Sequence, residues 1–256
     1  MPDGFEARLR FHGDLNYFLK SETSGGEIVR VLREPTSVKD AIESCGVPHP
    51  EIDCILADGR CVDFDYVLRK NSTLDVHPVK FSEHDSRASQ PLQRRDLNRF
   101  VADGHLGKLT RNLRLLGFDV IYNPAFDDPE LLEIMQQEER ALLTRDRHLL
   151  MHSIVRDGYC PRSDDPLEQT LEVVRRFSLM DRTQPFTRCL QCNGLLRQVE
   201  KAEVVERLEP LTRIYYHEFR SCSGCGKIFW RGSHFSKLES FLERIRDELE
   251  TRPKMD

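Results

Sequence analysis

The chain has 256 residues, of which 39% are hydrophobic and 32% charged, and its formal net charge is −5. This length predicts two or three modest domains rather than one small core. The longest apolar runs span only a few residues, which excludes a membrane span, and no basic region precedes an apolar one at the N-terminus, so we expect a cytoplasmic protein.

The first predicted domain, residues 1–80, places strand signals around one early helix. The segments FEARLRF and GEIVRVL predict two strands, and Thr36-Ser37 then leads into the helix VKDAIESCG, which ends at Gly46. Further strand signals follow in CILADGRCV, with Asp58-Gly59 as a hairpin turn, and in STLDVHPV. This order predicts a small α+β domain.

Four short segments give this domain a family resemblance: TSVKDAI at the helix entry, CGVP after the helix, then VDFDYVL and LDVHPV. They resemble the beta-grasp, ubiquitin-like domains of the sulfur-carrier type. Sulfur carriers end in a free Gly-Gly tail, whereas this chain continues for 175 residues beyond Phe81, and its Gly25-Gly26 pair lies in an early loop. The resemblance therefore implies an interaction or scaffold role with a protein partner.

A polar stretch, residues 81–95, predicts a linker to a second domain over residues 96–180. Here strand signals (LNRFVAD, FDVIYN, RALLTRD and GYCPRS) alternate with helix signals. The first helix carries four leucines on one face: Leu106, Leu109, Leu113 and Leu116. Asp128 and Asp165 are placed to cap two later helices that begin with proline. Alternation of this kind predicts a parallel sheet with helical crossovers.

Three aspartates are predicted to meet at one edge of this sheet. Asp103 ends the first strand, Asp146 ends the third, and Asp128 lies in the turn after the second. In an open parallel sheet, ligands bind outside the carboxyl ends of the strands. Carboxylates crowded there repel one another unless a divalent cation neutralises them. The pattern therefore predicts a Mg²⁺ or Mn²⁺ site, which would suit in-line attack on a phosphodiester.

Other charged residues are expected at the same edge. Asp164 or Asp165, after the fourth strand, would join the acidic cluster. Basic side chains would face the phosphates: Lys108, Arg145 and Arg147. Helix capping alone is the alternative explanation for Asp128 and Asp165.

The second domain also carries a family resemblance, in FVAD at 100–103, LGKL at 106–109, LRLLGFD at 113–119 and LLTRD at 142–146, with Asp128 and the helix of Gln169. It resembles the PIN-like ribonuclease domains of the family named after the C-terminal region of the Mut-seven exonuclease. With the cysteine pairs that follow, the resemblance covers about 96–235. It implies a metal-dependent nuclease acting on RNA, with Asp103, Asp128 and Asp146 as its acidic cluster. Thr144 is expected to support the cluster by hydrogen bonding, although a bond to the backbone would explain that residue equally.

Two cysteine pairs define the third predicted domain, residues 181–256. Cys189 and Cys192 are separated by 29 residues from Cys222 and Cys225. In a chain expected in a reducing compartment such pairs favour a metal over disulfides, and four thiolates form a closed, structural zinc site. His217 and His234 are then not needed as ligands. The segment HFSKLESFLERIRDELE predicts an amphipathic helix that follows this zinc ribbon.

Trp230 is the only tryptophan and is flanked by basic residues. It could stack on an RNA base. An aromatic ring beside a small zinc site more often covers the metal cluster, and we favour that interpretation. Residues 181–256 carry 14 basic and 12 acidic side chains, against 11 and 15 for residues 96–180, so the C-terminal third is the better candidate for contacting phosphates.

The predicted fold class is α/β: a PIN-like three-layer domain with a parallel sheet, an N-terminal α+β beta-grasp domain and a C-terminal zinc ribbon. The predicted function is a ribonuclease that uses Mg²⁺ or Mn²⁺ for catalysis and Zn²⁺ for structure, with RNA as its substrate. The alternative is a non-catalytic RNA-binding or protein-interaction adaptor, in which the aspartates only cap helices. Sulfur transfer is the weakest of the three hypotheses.

Overall fold

The computed structural model describes residues 4–19, 27–79 and 91–251, so the Gly25-Gly26 pair lies outside the described residues. The N-terminal elements are β1 Phe5–Phe11, β2 Glu27–Leu32, β3 Thr36–Ser37, α1 Val38–Glu43, β4 Ile52–Ala57, β5 Arg60–Val62, β6 Val67–Leu68 and β7 Ser72–Pro78, with a 3-10 turn at Gly13–Phe18. Five of these strands form one sheet in the order β2-β1-β7-β4-β5, in which β1 and β7 are parallel neighbours. This is the predicted beta-grasp arrangement.

Local sequence accounts for these elements. The alternation in β1 buries Ala7, Leu9 and Phe11 under α1 and leaves the residues between them toward solvent. Ser37 caps α1 by accepting a hydrogen bond from the Asp40 N–H. The β4–β5 hairpin turns at Asp58-Gly59, where both residues have positive φ, as predicted.

The second domain contains β8 Arg99–Ala102, α2 Gly107–Leu115, β9 Asp119–Tyr122, α3 Asp128–Gln137, β10 Ala141–Leu143, α4 Arg147–Leu150, β11 Gly158–Tyr159 and α5 Pro166–Arg176. Its four strands are all parallel, in the order β11-β10-β8-β9. Phe100 and Ala102 of β8 contribute to a core with α2 and α5, whereas Val101 contributes to a core with α3. Helices therefore cover both faces, and the predicted three-layer α/β domain is confirmed.

The N-terminal domain packs on the α3 side of this sheet, and one continuous core joins the two domains. Glu51, only 3% exposed, pairs with Arg162 at 2.8 Å and accepts a hydrogen bond from the Cys160 N–H at 2.7 Å. The described end of the predicted linker is also held here, because the Gln93 N–H donates to Asp53 and Arg94 pairs with Asp157.

The third region contains β12 Leu196–Val199, α6 Lys201–Val204, α7 Pro210–Tyr215, β13 Phe219–Cys222, β14 Ile228–Trp230 and α8 Ser233–Thr251. Its three strands form an antiparallel sheet in the order β12-β13-β14. The amphipathic face of α8 does not close this sheet. Leu242 and Ile245 enter the core between α2 and α5 instead, so the C-terminal helix packs on the second domain. No helix in the described part of the chain is long and apolar enough to cross a membrane.

Candidate functional site

Asp103 follows β8 directly and is held by a threonine from the next strand. The Thr144 hydroxyl, fully buried, donates to Asp103 Oδ2 at 2.7 Å, while the Asp103 N–H donates to the Leu143 carbonyl at 3.0 Å. The same hydroxyl oxygen accepts a hydrogen bond from the Asp146 N–H at 2.9 Å. One buried side chain therefore ties the ends of β8 and β10 together, and it makes both kinds of bond considered for Thr144, one to a carboxylate and one to the backbone.

Asp146 caps α4. Its Oδ1 accepts from the His148 N–H at 2.7 Å and the Leu149 N–H at 3.3 Å. Within the described residues these bonds engage only Oδ1 of Asp146, and the Thr144 bond engages only Oδ2 of Asp103. Each carboxylate is thus oriented through one oxygen, as metal-binding carboxylates commonly are, and its other oxygen has no hydrogen bond to the described residues.

The topology places these two aspartates at a switch point. The chain leaves β8 to form β9 on one side, then crosses back to form β10 on the other side of β8. In an open parallel sheet such a reversal opens a crevice at the carboxyl ends of the two strands, where ligands bind. Asp103 and Asp146 follow the two strands that flank this crevice.

The structure corrects the interpretation of Asp128. The N-cap of α3 is Asp127, whose side chain accepts from the Glu130 N–H in a capping box, and Asp128 is the first helical residue. The mistake is one residue of register in the Asp-Asp-Pro sequence. Capping therefore does not explain Asp128, and in the described part of the chain no hydrogen bond or ion pair engages its carboxylate.

The loop before α3 runs beside Asp103. A β-carbon at Gly104 would lie 3.0 Å from the Pro124 carbonyl oxygen, so any side chain here would require the loop to shift by a few tenths of an ångström. The Tyr122 hydroxyl donates to the Gly104 carbonyl at 2.8 Å and fixes the same loop. The chain segment that leads to Asp128 therefore starts in contact with the residue next to Asp103.

The two later aspartates have structural partners. Asp165 is the N-cap of α5, as predicted, and accepts from the Leu167 and Glu168 N–H groups. Asp164 is 89% exposed and pairs with Arg145 at 2.5 Å. Asp164, followed by Tyr17 of the N-terminal domain, raises the pKa of Arg145 by hydrogen bonding.

The basic residues predicted at this edge differ in whether they are exposed or bonded to the protein. Lys108 is exposed in the first turn of α2. The Arg147 guanidinium instead donates to the Phe18 carbonyl at 2.8 Å and lies over the Tyr17 and Phe18 rings. Arg147 therefore joins the two domains, and the prediction that it faces a phosphate is wrong.

The tight metal-ligand cluster is elsewhere. Among the described residues, one group of His, Cys, Asp or Glu side chains brings at least three ligand atoms within 4.8 Å of one another, and it consists of Cys189, Cys192, Cys222 and Cys225. The aspartates at the sheet edge are therefore more widely spaced than these thiols. They offer oxygen ligands that suit Mg²⁺ or Mn²⁺, which usually retain several waters.

The four thiols fit a zinc ion. Cys192 and Cys222 have Sγ atoms 3.3 Å apart, and Cys189 and Cys225 have theirs 3.8 Å apart. Tetrahedral Zn–S bonds of about 2.3 Å require sulfur separations of about 3.8 Å. Burial would raise the pKa of the Cys192 thiol, but the Gly194 N–H and the neighbouring thiols outweigh it and lower the pKa to about 6. A β-carbon at Gly194 would lie 2.8 Å from Cys222 Sγ, which explains the glycine after the first pair.

Comparisons with known proteins agree with this architecture. Residues 98–242 match the family described as the Mut7-C RNAse domain, and residues 4–84 match the family described as Mut7-C ubiquitin. The chain belongs to the Mut7-C RNAse family. A Mut7-C RNAse domain preceded by its ubiquitin-like domain is the arrangement that the sequence resemblance implied.

No curated relative matches the chain. A solved chain titled as a candidate molybdopterin converting factor, subunit 1, from Pyrococcus furiosus is similar over 29% of this chain and 97% of its own length, with 17% sequence identity and a TM-score of 0.23.

The attachment of the zinc knuckle to the Mut7-C RNAse sheet was not predicted from the sequence. Asp119, at the start of β9, accepts from Arg140 at 2.8 Å and from the Asn193 amide at 2.7 Å, and it also pairs with Arg188. Burial would raise the pKa of Asp119, but the bonds from Arg140 and Asn193 prevail and lower it. Buried Arg114 donates to the carbonyls of Val120 and Gln191. The one sign of this attachment in the sequence is Asp119 itself, a charged residue at the start of a strand shortly after Gly117.

Proposed function

We propose that this Mut7-C protein is a metal-dependent ribonuclease whose Mg²⁺ or Mn²⁺ is held by Asp103 and Asp146. The observation that carries the proposal is the Thr144 hydroxyl, which positions the Asp103 carboxylate and the Asp146 backbone on the two sides of the switch-point crevice. Asp128 is the third proposed ligand, because its segment starts beside Gly104 and its carboxylate is not a helix cap. Asp164 and Asp165 remain candidates for a fourth.

The proposed roles follow from charge and position. A bound divalent ion supplies a water of lowered pKa and stabilises charge on the phosphate. Lys108, exposed near the start of α2, would neutralise a phosphate of the RNA. Arg145, oriented by Asp164 and Tyr17, would bind a neighbouring phosphate. Thr144 is a positioning residue, since it contacts the ligands and not the RNA.

The test uses the zinc-loaded full chain with single-stranded RNA and added Mg²⁺ or Mn²⁺. Asp103→Asn and Asp146→Asn should each lower the cleavage rate by roughly a hundredfold or more, and both should weaken Mn²⁺ binding measured by calorimetry. Asp181→Asn, the same change at an exposed position, is the matched control and should cleave like the wild type. Full activity in both Asp103→Asn and Asp146→Asn would exclude the proposal.

A non-catalytic RNA-binding protein is the second candidate. It is favoured by one observation, which is that Asp146 serves as a helix cap and needs no metal to explain its presence. That hypothesis predicts RNA binding without cleavage in either metal, and no saturable Mn²⁺ binding.

We further propose the domain division 1–80, 96–180 and 181–256, with 81–95 as the connection, and a cytoplasmic location, because a thiolate zinc site needs reduced cysteines. The ubiquitin-like domain is proposed to bind a protein partner through edge strand β2, where Val29 and Val31 are exposed. A captured partner that binds Val31→Lys as well as the wild type would contradict this surface.

A further inference from the structure

We propose that single-stranded RNA binds in the groove between the zinc ribbon, α7, α2 and the start of α8. This groove has a volume of about 1030 Å³ and lies on the side of the ribbon that faces α2. The inference rests on the proposed ribonuclease function and adds where the substrate is held. It also replaces the prediction that Trp230 covers the metal, because Trp230 lines the groove and is 39% exposed.

Exposed aromatic rings form one wall of the groove. Tyr215 is 70% exposed at the end of α7, and Leu211, one turn earlier on the same helix, is 68% exposed. Tyr216 follows Tyr215, and its ring centroid lies 6.3 Å from that of Trp230. Large apolar side chains left open to solvent in one patch indicate a binding surface. Flat rings of this kind stack on the bases of single strands whatever their sequence.

The charges in the groove complement a polyanion. The cationic lining residues are Arg111, Arg188, Arg220, Lys227 and Arg231, and the single carboxylate in the lining is that of Glu218. Arg188 and Arg220 are held by bonds to the Gly117 and Phe186 carbonyls, and Arg188 is also paired with Asp119 outside the groove lining.

The other three cations are better placed to meet phosphates. Lys227 and Arg231 lie near the Phe229 and Phe235 rings, at 6.0 and 5.1 Å, so charge and ring surface alternate along the groove. Arg111 is exposed on α2. The excess of cations over the one lining carboxylate, interleaved with aromatic rings, matches the combination by which proteins bind single-stranded nucleic acid.

The groove leads toward the proposed catalytic edge. Arg111 lies three residues after Lys108 on α2, so the two side chains share a helix face about 4.5 Å apart along the axis. Helix α2 begins at the carboxyl end of β8, next to Asp103. RNA held on the aromatic wall can therefore continue along α2 to the aspartates. The need for such a groove follows from the net charge of −4 on residues 96–180, which repels RNA.

The experiment measures fluorescence anisotropy of a labelled, unstructured 15-nucleotide RNA with the zinc-loaded full chain and no added Mg²⁺ or Mn²⁺. Tyr215→Ala and Trp230→Ala should each weaken binding about fivefold or more, the loss expected for one base stack. The double variant Lys227→Ala/Arg231→Ala should lower the slope of log affinity against log salt by about 1.4. Tyr66→Ala, at a 45% exposed tyrosine of the ubiquitin-like domain, is the matched control and should bind like the wild type. Zinc content and melting temperature verify folding, and the high exposure of Tyr215 keeps that variant informative if Trp230→Ala misfolds.

Three results would overturn the proposal: unchanged affinity in the aromatic variants, equal affinity for duplex RNA, or no RNA binding by the wild type, which would point to a protein ligand instead. Asp103→Asn separates this proposal from the proposed function, because it should bind the RNA normally and fail to cleave it. If the wild type binds RNA through the groove but cleaves none, the proposed ribonuclease function is excluded and the proposed RNA-binding groove is supported. RNA cleavage by the wild type, combined with groove variants that bind RNA normally, would support the ribonuclease and exclude the groove as the binding site.

Discussion

Two buried threonines show how much depends on a single hydroxyl. Thr144 is fully buried, and its hydroxyl both donates to Asp103 and accepts from the Asp146 backbone. Thr110 is 1% exposed, and its hydroxyl has no hydrogen-bond partner among the described residues. The same substitution by valine should therefore have different effects on stability at the two positions. Only the Thr144 hydroxyl replaces its hydrogen bonds to water with hydrogen bonds inside the protein.

We expect Thr144→Val to lower the free energy of unfolding by about 1–3 kcal/mol, since two polar groups lose their partner. It should also weaken Mn²⁺ binding about tenfold or more, because Asp103 loses its orientation. Thr110→Val should be neutral or slightly stabilising. Urea unfolding and Mn²⁺ calorimetry measure both effects, and equal costs at the two positions would contradict this account.

At the residue scale, the sequence indicated where individual side chains lie better than which groups those side chains contact. The position of Asp103 and Asp146 at one sheet edge could be predicted because each follows an apolar strand and parallel strands end at one edge, and their role as metal ligands stays a prediction. Asp127 and Asp128 could not be told apart, because both precede Pro129 and a cap is decided by one residue of register. Arg147 was misread since its partner, the Phe18 carbonyl, lies 129 residues away.

At the element scale, the small core of the four-cysteine region leads us to expect that its fold depends on a bound metal. Its own buried apolar cluster contains only Val199, Val204, Leu208 and Phe219. A core this small does not hold a fold without a metal or disulfide. The sheet of β8 to β11, by contrast, is covered on both faces.

Removal of zinc should therefore unfold the ribbon and spare the parallel sheet. After treatment with a strong zinc chelator, we expect the amides of β12 and β13 to exchange hydrogen rapidly, while those of β8 and β10 stay protected. The parallel sheet is the internal control. Loss of protection in both sheets together would show that the ribbon is required for the whole fold.

Asp119 should be the main electrostatic attachment of the first knuckle to β9. Asp119→Asn leaves Arg188 without its charge partner and takes one of two carboxylate partners from Arg140, which keeps Glu138, and we expect a loss of roughly 2 kcal/mol. Because the pKa of Asp119 is lowered on folding, its contribution is present above the unfolded carboxyl pKa of about 3.9 and is lost as pH falls through the folded value. Chemical denaturation at saturating zinc should therefore give a difference that is constant from pH 6 to 8. If the difference in free energy of unfolding between the wild type and Asp119→Asn grows toward pH 8, a titrating group other than Asp119 is responsible for it.

The elements themselves were largely readable from local pattern. Period-two alternation, the Asp58-Gly59 turn and the proline after Asp165 each act within a few residues, and the structure confirms all three. The packing of α8 was not readable, because an amphipathic face specifies that something apolar covers it and not which domain does so.

At the scale of the whole molecule, the ubiquitin-like domain is part of one folded unit with the RNAse domain. Glu51 and Arg162 are 3% and 13% exposed and pair across the boundary. Burial would lower the pKa of Arg162, but Glu51 and Tyr159 outweigh it and raise the pKa well above its usual value. This pair could not be predicted from local sequence, because its members are 111 positions apart.

Glu51→Gln should lower the free energy of unfolding by about 3 kcal/mol, because the buried Arg162 loses its closest countercharge and keeps only the more exposed carboxylate of Asp14. The matched control is Glu27→Gln, which removes a carboxylate from exposed pairs with Arg8 and Arg10 and should leave the free energy of unfolding nearly unchanged. Wild-type protein should melt in one transition and Glu51→Gln in two, with the ubiquitin-like domain separating first. Two transitions in the wild type would refute the coupling.

Arg147 gives this docking a consequence for regulation. It is the neighbour of Asp146 in the chain, yet its guanidinium is anchored to the carbonyl of Phe18 in the other domain. Arg147 is therefore one of the contacts by which a displacement of the ubiquitin-like domain would reach the residue beside a proposed metal ligand.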